Sequence, residues 1–287
     1  MSFLEKKCPI SDSRLKKLGR SLRKGEACDE EVFDQFILHN ISIIDETQII
    51  LLKVFENLPF QEAFSGEEIM PYSAKYRFSA RPKMRKTIIE KLRRMDKTPI
   101  YRIQDIAGLR FDCDCNLDDQ YRVAEVLKDA LSAGGARRVV IKDLRESPHS
   151  GYRAIHIHAD FPAGRVEVQL RTALQAQWAN VYEKASDIFG RGIRYIDSLE
   201  QCDESVRNVL SLMHGKSNEI YALEQERNVS EDPHLGPVST SDLDHKARAL
   251  RDSMIRMYRQ LDQLASVLPQ INDTKLSALK ISESGEG

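Results

Sequence analysis

Residues 153–188 read RAIHIHADFPAGRVEVQLRTALQAQWANVYEKASDI, and the period of the side chains changes once along that stretch. From Arg153 to Ala159, His156 and His158 lie opposite Ile155 and Ile157. From Val166 to Arg171, Glu167, Gln169 and Arg171 lie opposite Val166, Val168 and Leu170. Alternation with period two is the mark of strands whose two faces see different surroundings. From Thr172 onward the repeat lengthens to helical spacing, with Leu174, Trp178, Val181, Ala185 and Ile188 on one stripe. The polar side of that helix remains available for other work.

Working upstream, Leu109 to Cys113 is another alternating segment, with Arg110 and Asp112 opposite Leu109, Phe111 and Cys113. RRVVI at 137–141 adds a further strand, and a helical insert runs around Leu117 to Leu131. The segment from Ile106 to Arg171 thus reads as an α/β or α+β core. A lone EVQLR is equally well a surface strand with a polar outer face. If the three alternating strands pair, however, one sheet face collects carboxylates, a histidine and two arginines. Such a surface suits phosphate chemistry, in which carboxylates hold Mg²⁺ and cations offset polyphosphate charge. Residues 71–97 precede it with ten basic side chains against only Glu90 and Asp96, a local net charge of +8.

That concentration stands out because the whole chain of 287 residues carries 43 Lys plus Arg against 44 Asp plus Glu. The near-neutral balance gives no global bias toward nucleic acid or membrane. With 41% hydrophobic and 30% charged residues the composition fits a soluble globular protein. Apolar runs such as Ile49 to Val54 are too short to span a bilayer, and MSFLEKKCPI lacks a signal-peptide core, so the expected compartment is the cytoplasm. Five scattered cysteines form no disulfide framework and no CxxC metal pair.

Toward the ends, residues 29–58 have helical spacing with Asp29 as N-cap and Pro59 as terminator. Residues 198–227 read as a helix and 228–241 as a linker. A heptad-like seam then runs through Leu243, Ala247, Leu250, Met254, Met257, Leu261, Leu264 and Leu268. It fits either a helix packed on its own chain or one that pairs with another subunit. The tail after Ser282 is expected to be disordered.

Neither a GxxxxGKS/T phosphate loop nor a kinase-type GxGxxG is present, which disfavours the common ATP-binding scaffolds. Four ordered stretches instead carry a resemblance: RPKMRKTIIEKL (81–92), QDIAGLRF (104–111), SGYRAIH (150–156) and EVQLRTALQAQWA (167–179). Together they resemble the RelA/SpoT alarmone synthetase domain in its small, stand-alone form, over about residues 71–195. The resemblance implies an α+β fold: a nucleotidyltransferase-like mixed β-sheet flanked by helices, with helical extensions at 1–70 and 196–287. It also implies transfer of the pyrophosphoryl group of ATP to the ribose 3'-hydroxyl of GDP or GTP, giving ppGpp or pppGpp and AMP.

Carried over by position, the resemblance puts Arg81 and Arg110 on either side of the adenine, and Lys83, Thr87 and Lys91 on the ATP phosphates. Asp105 and Glu167 become the Mg²⁺ carboxylates, with Glu167 also drawing the proton from the attacking hydroxyl. Tyr152 stacks on the acceptor base, with Arg153, His156, Gln169 and Arg171 around its phosphates and sugar. Each residue taken singly has a plainer reading: Asp105 as a strand start, Thr87 as a helix surface position, Tyr152 as a packed turn residue, His156 as a satisfied sheet histidine. The pair Asp112-x-Asp114 resembles a polymerase-type metal pair but lies outside the four stretches and lacks the Gly-Ser element upstream.

No HxxxHD hydrolase cluster occurs in the N-terminal third, so synthesis without degradation is expected. Lys142-Asp143 is followed by Leu144-Arg145 and a short ESPHSGY loop, and Trp178-Ala179 runs into NVYEKASDIFGRGIRY, both departures from the family pattern. They leave the acceptor open, because some small relatives are toxins that modify the 3'-end of tRNA or make an adenosine-based alarmone; a catalytically silent regulatory protein that only binds nucleotide is a further reading, against which the presence of both Asp105 and Glu167 argues. In the toxin branch Arg191 and Arg194, or the surplus around Arg93 and Arg94, would form a basic track for tRNA, where the plainer reading is solvated helix-end charges, and an antitoxin would be a partner. A homo-oligomer is expected from the seam and from the habits of small family members.

Overall fold

The computed structural model of the chain describes residues 2–55, 76–195, 202–230 and 240–284. The expected helix stop at Pro59, most of the linker and the last residues of the tail lie outside these. So do the side chains of Arg81 and Leu243.

Five strands form one mixed sheet: β1 (Tyr76–Pro82), β2 (Ala107–Cys113), β3 (Arg138–Asp143), β4 (Ile155–Asp160) and β5 (Arg165–Thr172). Their spatial order is β1-β2-β5-β4-β3, with β2 and β5 parallel and every other pair antiparallel. Four of these match strands read from the sequence. β1 was hidden in the basic segment, where YRFSARP alternates but charge dominates the composition.

Alternation decides what the sheet buries. Leu109, Phe111, Val168, Leu170, Ile155 and Ile157 are fully buried on one face beneath α2 (Glu30–Phe55) and α4 (Leu117–Ala133). The sheet is covered there because its apolar rows can leave water only against apolar helix stripes. Leu4, Ile43, Ile44 and Leu51 join the same cluster, so N-terminal residues complete the sheet's core. A second cluster packs α1 (Asp12–Lys24) and α2 against α3 (Arg85–Arg94) through Leu15, Leu18, Phe33, Phe36, Ile88 and Leu92.

Local signals explain the helix starts. Asp29 accepts from the Val32 amide through its side chain at 3.1 Å, the N-cap expected at that position. Thr172 ends β5 and caps α5 (Ala173–Phe189), in a reciprocal capping box with Gln175. The switch of period read at Thr172 is therefore a strand running straight into a helix.

The stripe Leu174, Trp178, Val181 and Ala185 is buried against α6 (Glu204–Ser230) and α7 (Thr240–Ser284). Leu250, Met254, Met257, Leu261 and Leu268 of the heptad seam are buried in that same cluster. The seam therefore packs on its own chain, and the buried stripe that suggested an oligomer is already covered. The residues read as a linker are helical at both ends, since α6 continues to Ser230 and α7 starts at Thr240. Among the described residues no helix is long and apolar enough to cross a membrane.

One buried acid ties α6 to the sheet. Glu224 is fully buried, accepts from Thr172 Oγ1 and from Gln175 Nε2 at 2.9 Å, and is pushed up to about 7 by burial against the opposing pull of those donors and Arg227. An unfolded glutamate loses its proton near the ordinary value of 4.5, whereas the folded one holds it to about 7. The unfolded state is thus favoured increasingly as pH rises through that window, and folding stability should fall by about 3 kcal/mol across it. Comparing urea unfolding of the native chain and Glu224→Gln from pH 4.5 to 8 checks this. The difference between them should drift by that amount and level off above pH 7, while a pH-independent difference would mean that Glu224 titrates normally.

Candidate functional site

The other sheet face carries the polar row. Register places Gly108 beside Glu167, Arg110 beside Gln169 and Asp112 beside Arg171 across β2 and β5. It also places His158 beside Glu167 and His156 beside Gln169 across β4 and β5. The pairing posed as a condition from the sequence is therefore met.

Over part of this face α3, α5 and the turn at Arg191–Tyr195 enclose a cavity of about 800 Å³. Seven of the residues expected at the site line it: Lys83, Thr87, Lys91, Asp105, Arg110, Glu167 and Gln169. Asp105 and Glu167 thus open onto the same space, from the turn before β2 and from the middle of β5. Gly108 adds no side chain beside Glu167, which keeps the carboxylate accessible from the cavity.

Lys83 and Lys91 both reach Asp105, Lys83 at Oδ2 and Lys91 at Oδ1 over 2.7 Å. The two lysines come from the end of β1 and the last turn of α3, so a single carboxylate holds both cations at the cavity wall. Thr87 lies one helical turn before Lys91, and its hydroxyl donates to the Met84 carbonyl at 2.7 Å. Arg110 is held by Glu183 of α5 at 2.8 Å. Arg191 bridges to Glu90 at 3.1 Å and to Asp187 at 3.6 Å, and Arg194 donates to Ser186 at 2.9 Å. Both arginines line the cavity, not an outer track.

The lining therefore contains six cations and five carboxylates, most of them engaged with one another. Such an arrangement can accept a polyphosphate by exchange, with each cation passing from a carboxylate to a phosphate. We expect Glu183→Gln, which releases Arg110, to tighten binding of a polyphosphate by about two- to fivefold, in keeping with the modest worth of a part-exposed ion pair. Calorimetric titration with a non-hydrolysable ATP analogue measures it, and weaker binding would show that Glu183 helps to hold the nucleotide.

Glu167 is the most elaborated group. Its Oε1 lies 3.0 Å from His158 Nε2 and 3.5 Å from His156 Nδ1, and its Oε2 accepts from Gln169 at 2.8 Å. Burial by itself would raise the carboxyl, but the two histidines and Gln169 outweigh it and hold the group well below the ordinary carboxylate range. Tyr152 is 3.0 Å from His156 Nε2, on the side away from Glu167. Burial pushes the Tyr152 hydroxyl up to about 12, so it stays protonated and able to donate.

The loop before Tyr152 has left-handed backbone at Ser150 (φ 52°) and Gly151 (φ 80°), and a Cβ on Gly151 would meet Trp178 Cζ2 at 2.9 Å. The Gly-Tyr step is thus required by close packing on α5.

Two predicted acceptor residues sit elsewhere. Arg153 is buried and faces α6: it donates to Ser217 at 3.1 Å and Asn218 at 2.8 Å, and its guanidinium lies 4.3 Å from the Tyr221 ring centroid. Two residues before β4, it precedes the alternation, and it anchors α6 instead of entering the cavity. Arg171 is on the polar face, but both it and Asp112 are buried and joined at 2.8 Å, with Arg77 on the second Asp112 oxygen at 2.7 Å. Asp112 is therefore an ion-pair partner, and Asp114 binds Arg227 at 2.6 Å, so the Asp-x-Asp pair does not converge on one point. The side chain of Arg81 lies outside the described ones.

Sequence reasoning missed the direct contact of His158 with Glu167, although placing His158 on the polar face was the available signal. It also missed Glu183, which shares the polar side of α5. A hard cation is compatible with the donors present: Asp105 and Glu167 offer oxygen ligands on one cavity, as Mg²⁺ bound jointly with substrate phosphates requires.

The family model described as "Region found in RelA / SpoT proteins" matches residues 80–189. An uncharacterized protein of Mycobacterium tuberculosis (strain ATCC 25618 / H37Rv) is 36% identical over 200 residues, 69% of this chain and 67% of that protein. Its counterpart in Mycobacterium bovis matches to the same extent, 36% over 200 residues. Among solved structures, small alarmone synthetase 1 from Bacillus subtilis superposes with a TM-score of 0.51 at 23% identity, over 71% of this chain and 99% of that one. A second structure of that synthetase gives 0.50 at 22% identity, over 70% and 97%.

Proposed function

Because the chain belongs to the RelA/SpoT family and has the fold of a small alarmone synthetase, we propose that it is an ATP-dependent pyrophosphokinase acting on the 3'-hydroxyl of GDP or GTP. The observation that carries this reading is the opening of Asp105 and Glu167 onto one cation-lined cavity.

In this reading ATP enters between α3 and the sheet, with its adenine between Arg81 and Arg110, whose planar guanidinium groups suit stacking. Lys83 and Lys91 leave Asp105 for the phosphates, and Thr87 supplies a further hydroxyl. Asp105, freed of its lysines, and Glu167 would hold Mg²⁺, which when bound supplies charge neutralisation to the transferring group. The acceptor lies toward Tyr152, His156 and Gln169. The crystallised relative from Bacillus subtilis is described as bound to its product pppGpp, which supports a guanosine acceptor. Arg171 contributes by positioning through Asp112, and Arg153 is left out of the acceptor set.

Glu167 accepts the 3'-hydroxyl proton. Its low pKa keeps it ionised at neutral pH, so it is always ready to accept but weakly basic. Proton transfer is therefore late, and most of the acceleration comes from alignment and charge, as expected for a loose phosphoryl transition state.

Incubating the purified chain with Mg²⁺, labelled ATP and a mixture of GDP, GTP, adenosine nucleotides and deacylated tRNA tests the reading. AMP together with a guanosine polyphosphate is expected. Label in tRNA or in an adenosine polyphosphate would replace the acceptor while leaving the chemistry, and absence of AMP with every acceptor would overturn the activity itself.

A further inference from the structure

The nitrogen donors around Glu167 are not needed by a hard cation. Mg²⁺ selects oxygen ligands, whereas imidazole suits borderline transition metals. His156 and His158 alternate onto one face of β4, and Glu167 stands in register with His158 on β5. Their ligand atoms all lie within 4.8 Å of one another, with Oε1 of Glu167 at 3.0 and 3.5 Å from the two nearest ring nitrogens. Two ligands at about 2.0–2.1 Å from a tetrahedral Zn²⁺ are themselves about 3.3 Å apart. The three side chains therefore need only small rotations to share one ion.

We propose that His156, His158 and Glu167 form a site for a borderline transition-metal ion of the Zn²⁺ class, separate in chemistry from the oxygen site for Mg²⁺. Three protein ligands leave a fourth position open, and Glu167 gives the ion access from the cavity. Tyr152, 3.0 Å from His156 Nε2, is the outer partner: when Nδ1 takes the metal, Nε2 carries the proton and donates to the tyrosine oxygen. A bound ion occupies the carboxylate to which the proposed function gives the acceptor proton, so Zn²⁺ inhibits synthesis. That consequence rests on the reading of Glu167; the binding itself does not.

Co²⁺ titration of the full chain, followed by visible ligand-field absorption, tests the site. One equivalent with a tetrahedral spectrum and no sulfur charge-transfer band is expected, displaced by Zn²⁺ and unaffected by excess Mg²⁺. Tyr152→Phe should weaken Co²⁺ about 10–100-fold, and His158→Gln, which keeps a donor to Glu167 but removes the ring nitrogen, by more than that. The control His149→Asn, an exposed histidine of the adjacent loop, should change nothing. Circular dichroism verifies folding of each variant, and His156→Gln serves as a second ligand deletion. A thiolate band, an octahedral spectrum, or equal Co²⁺ affinity in native and both histidine variants overturns the site. A chain that binds tetrahedral Co²⁺ here yet releases no AMP keeps the site and loses the proposed function. A chain that makes alarmone without such binding does the reverse.

Discussion

Replacing Glu167 with Gln is expected to slow AMP release from ATP and acceptor by about 10²–10⁴-fold, the range for loss of a positioned proton acceptor. The substitution is nearly isosteric, and its amide can still be donated to from His158, so the sheet pairing of β4 with β5 remains. ATP affinity should change little, because in the proposed arrangement Lys83, Thr87 and Lys91 hold the phosphates and Arg110 stacks on the adenine. The loss therefore falls on turnover and not on the Michaelis constant for ATP. Steady-state kinetics with both substrates varied, beside thermal unfolding to confirm the fold, measure it. Turnover within a factor of a few of the native rate would remove Glu167 from the chemistry.

The largest effect on stability is expected at Asp112. Its carboxylate is 1% exposed and holds the buried Arg171 on one oxygen and Arg77 on the other. Asp112→Ala strips Arg171 of its counter-charge inside the protein, and breaking such a pair from one side costs about 3–5 kcal/mol. Urea unfolding gives the number. Replacing Arg171 and Asp112 together by Met and Leu should cost much less, because no lone charge is left behind. If the single and double variants lost the same amount, packing and not charge would be the reason for the pair. A loss below about 1 kcal/mol in Asp112→Ala would place water against Arg171 and return that arginine to the acceptor set.

These two residues also show where sequence reading stops. Glu167 and Asp112 both alternate onto the polar face, and the strand period alone puts them there. Nothing local separates their roles. Gly108 and the cavity stand beside Glu167, whereas Arg171 and Arg77 close over Asp112. Arg153 shows the same limit from the other side, since two residues before β4 the alternation no longer applies and the side chain turns to α6. The heptad seam was legible as a seam, but a 3.5-residue repeat is the same whether the partner is another subunit or α5 and α6 of the same chain. Strand β1 went unread because its charges mask a pattern that only pairing with β2 makes useful.

What the residues alone determined was four of the five strands, the helix that follows β5 and the face on which the polar side chains within those four strands lie, while the four stretches carried the resemblance to the family. The strands, the helix and the faces follow from periodicity, capping and spacing, which act over a few residues. The tertiary structure decided which strands are neighbours, which carboxylate holds the two lysines, which arginine is consumed in a buried pair, and which histidines surround Glu167. Those outcomes depend on register and on helix docking between segments tens of residues apart, where packing and charge are balanced over the whole molecule.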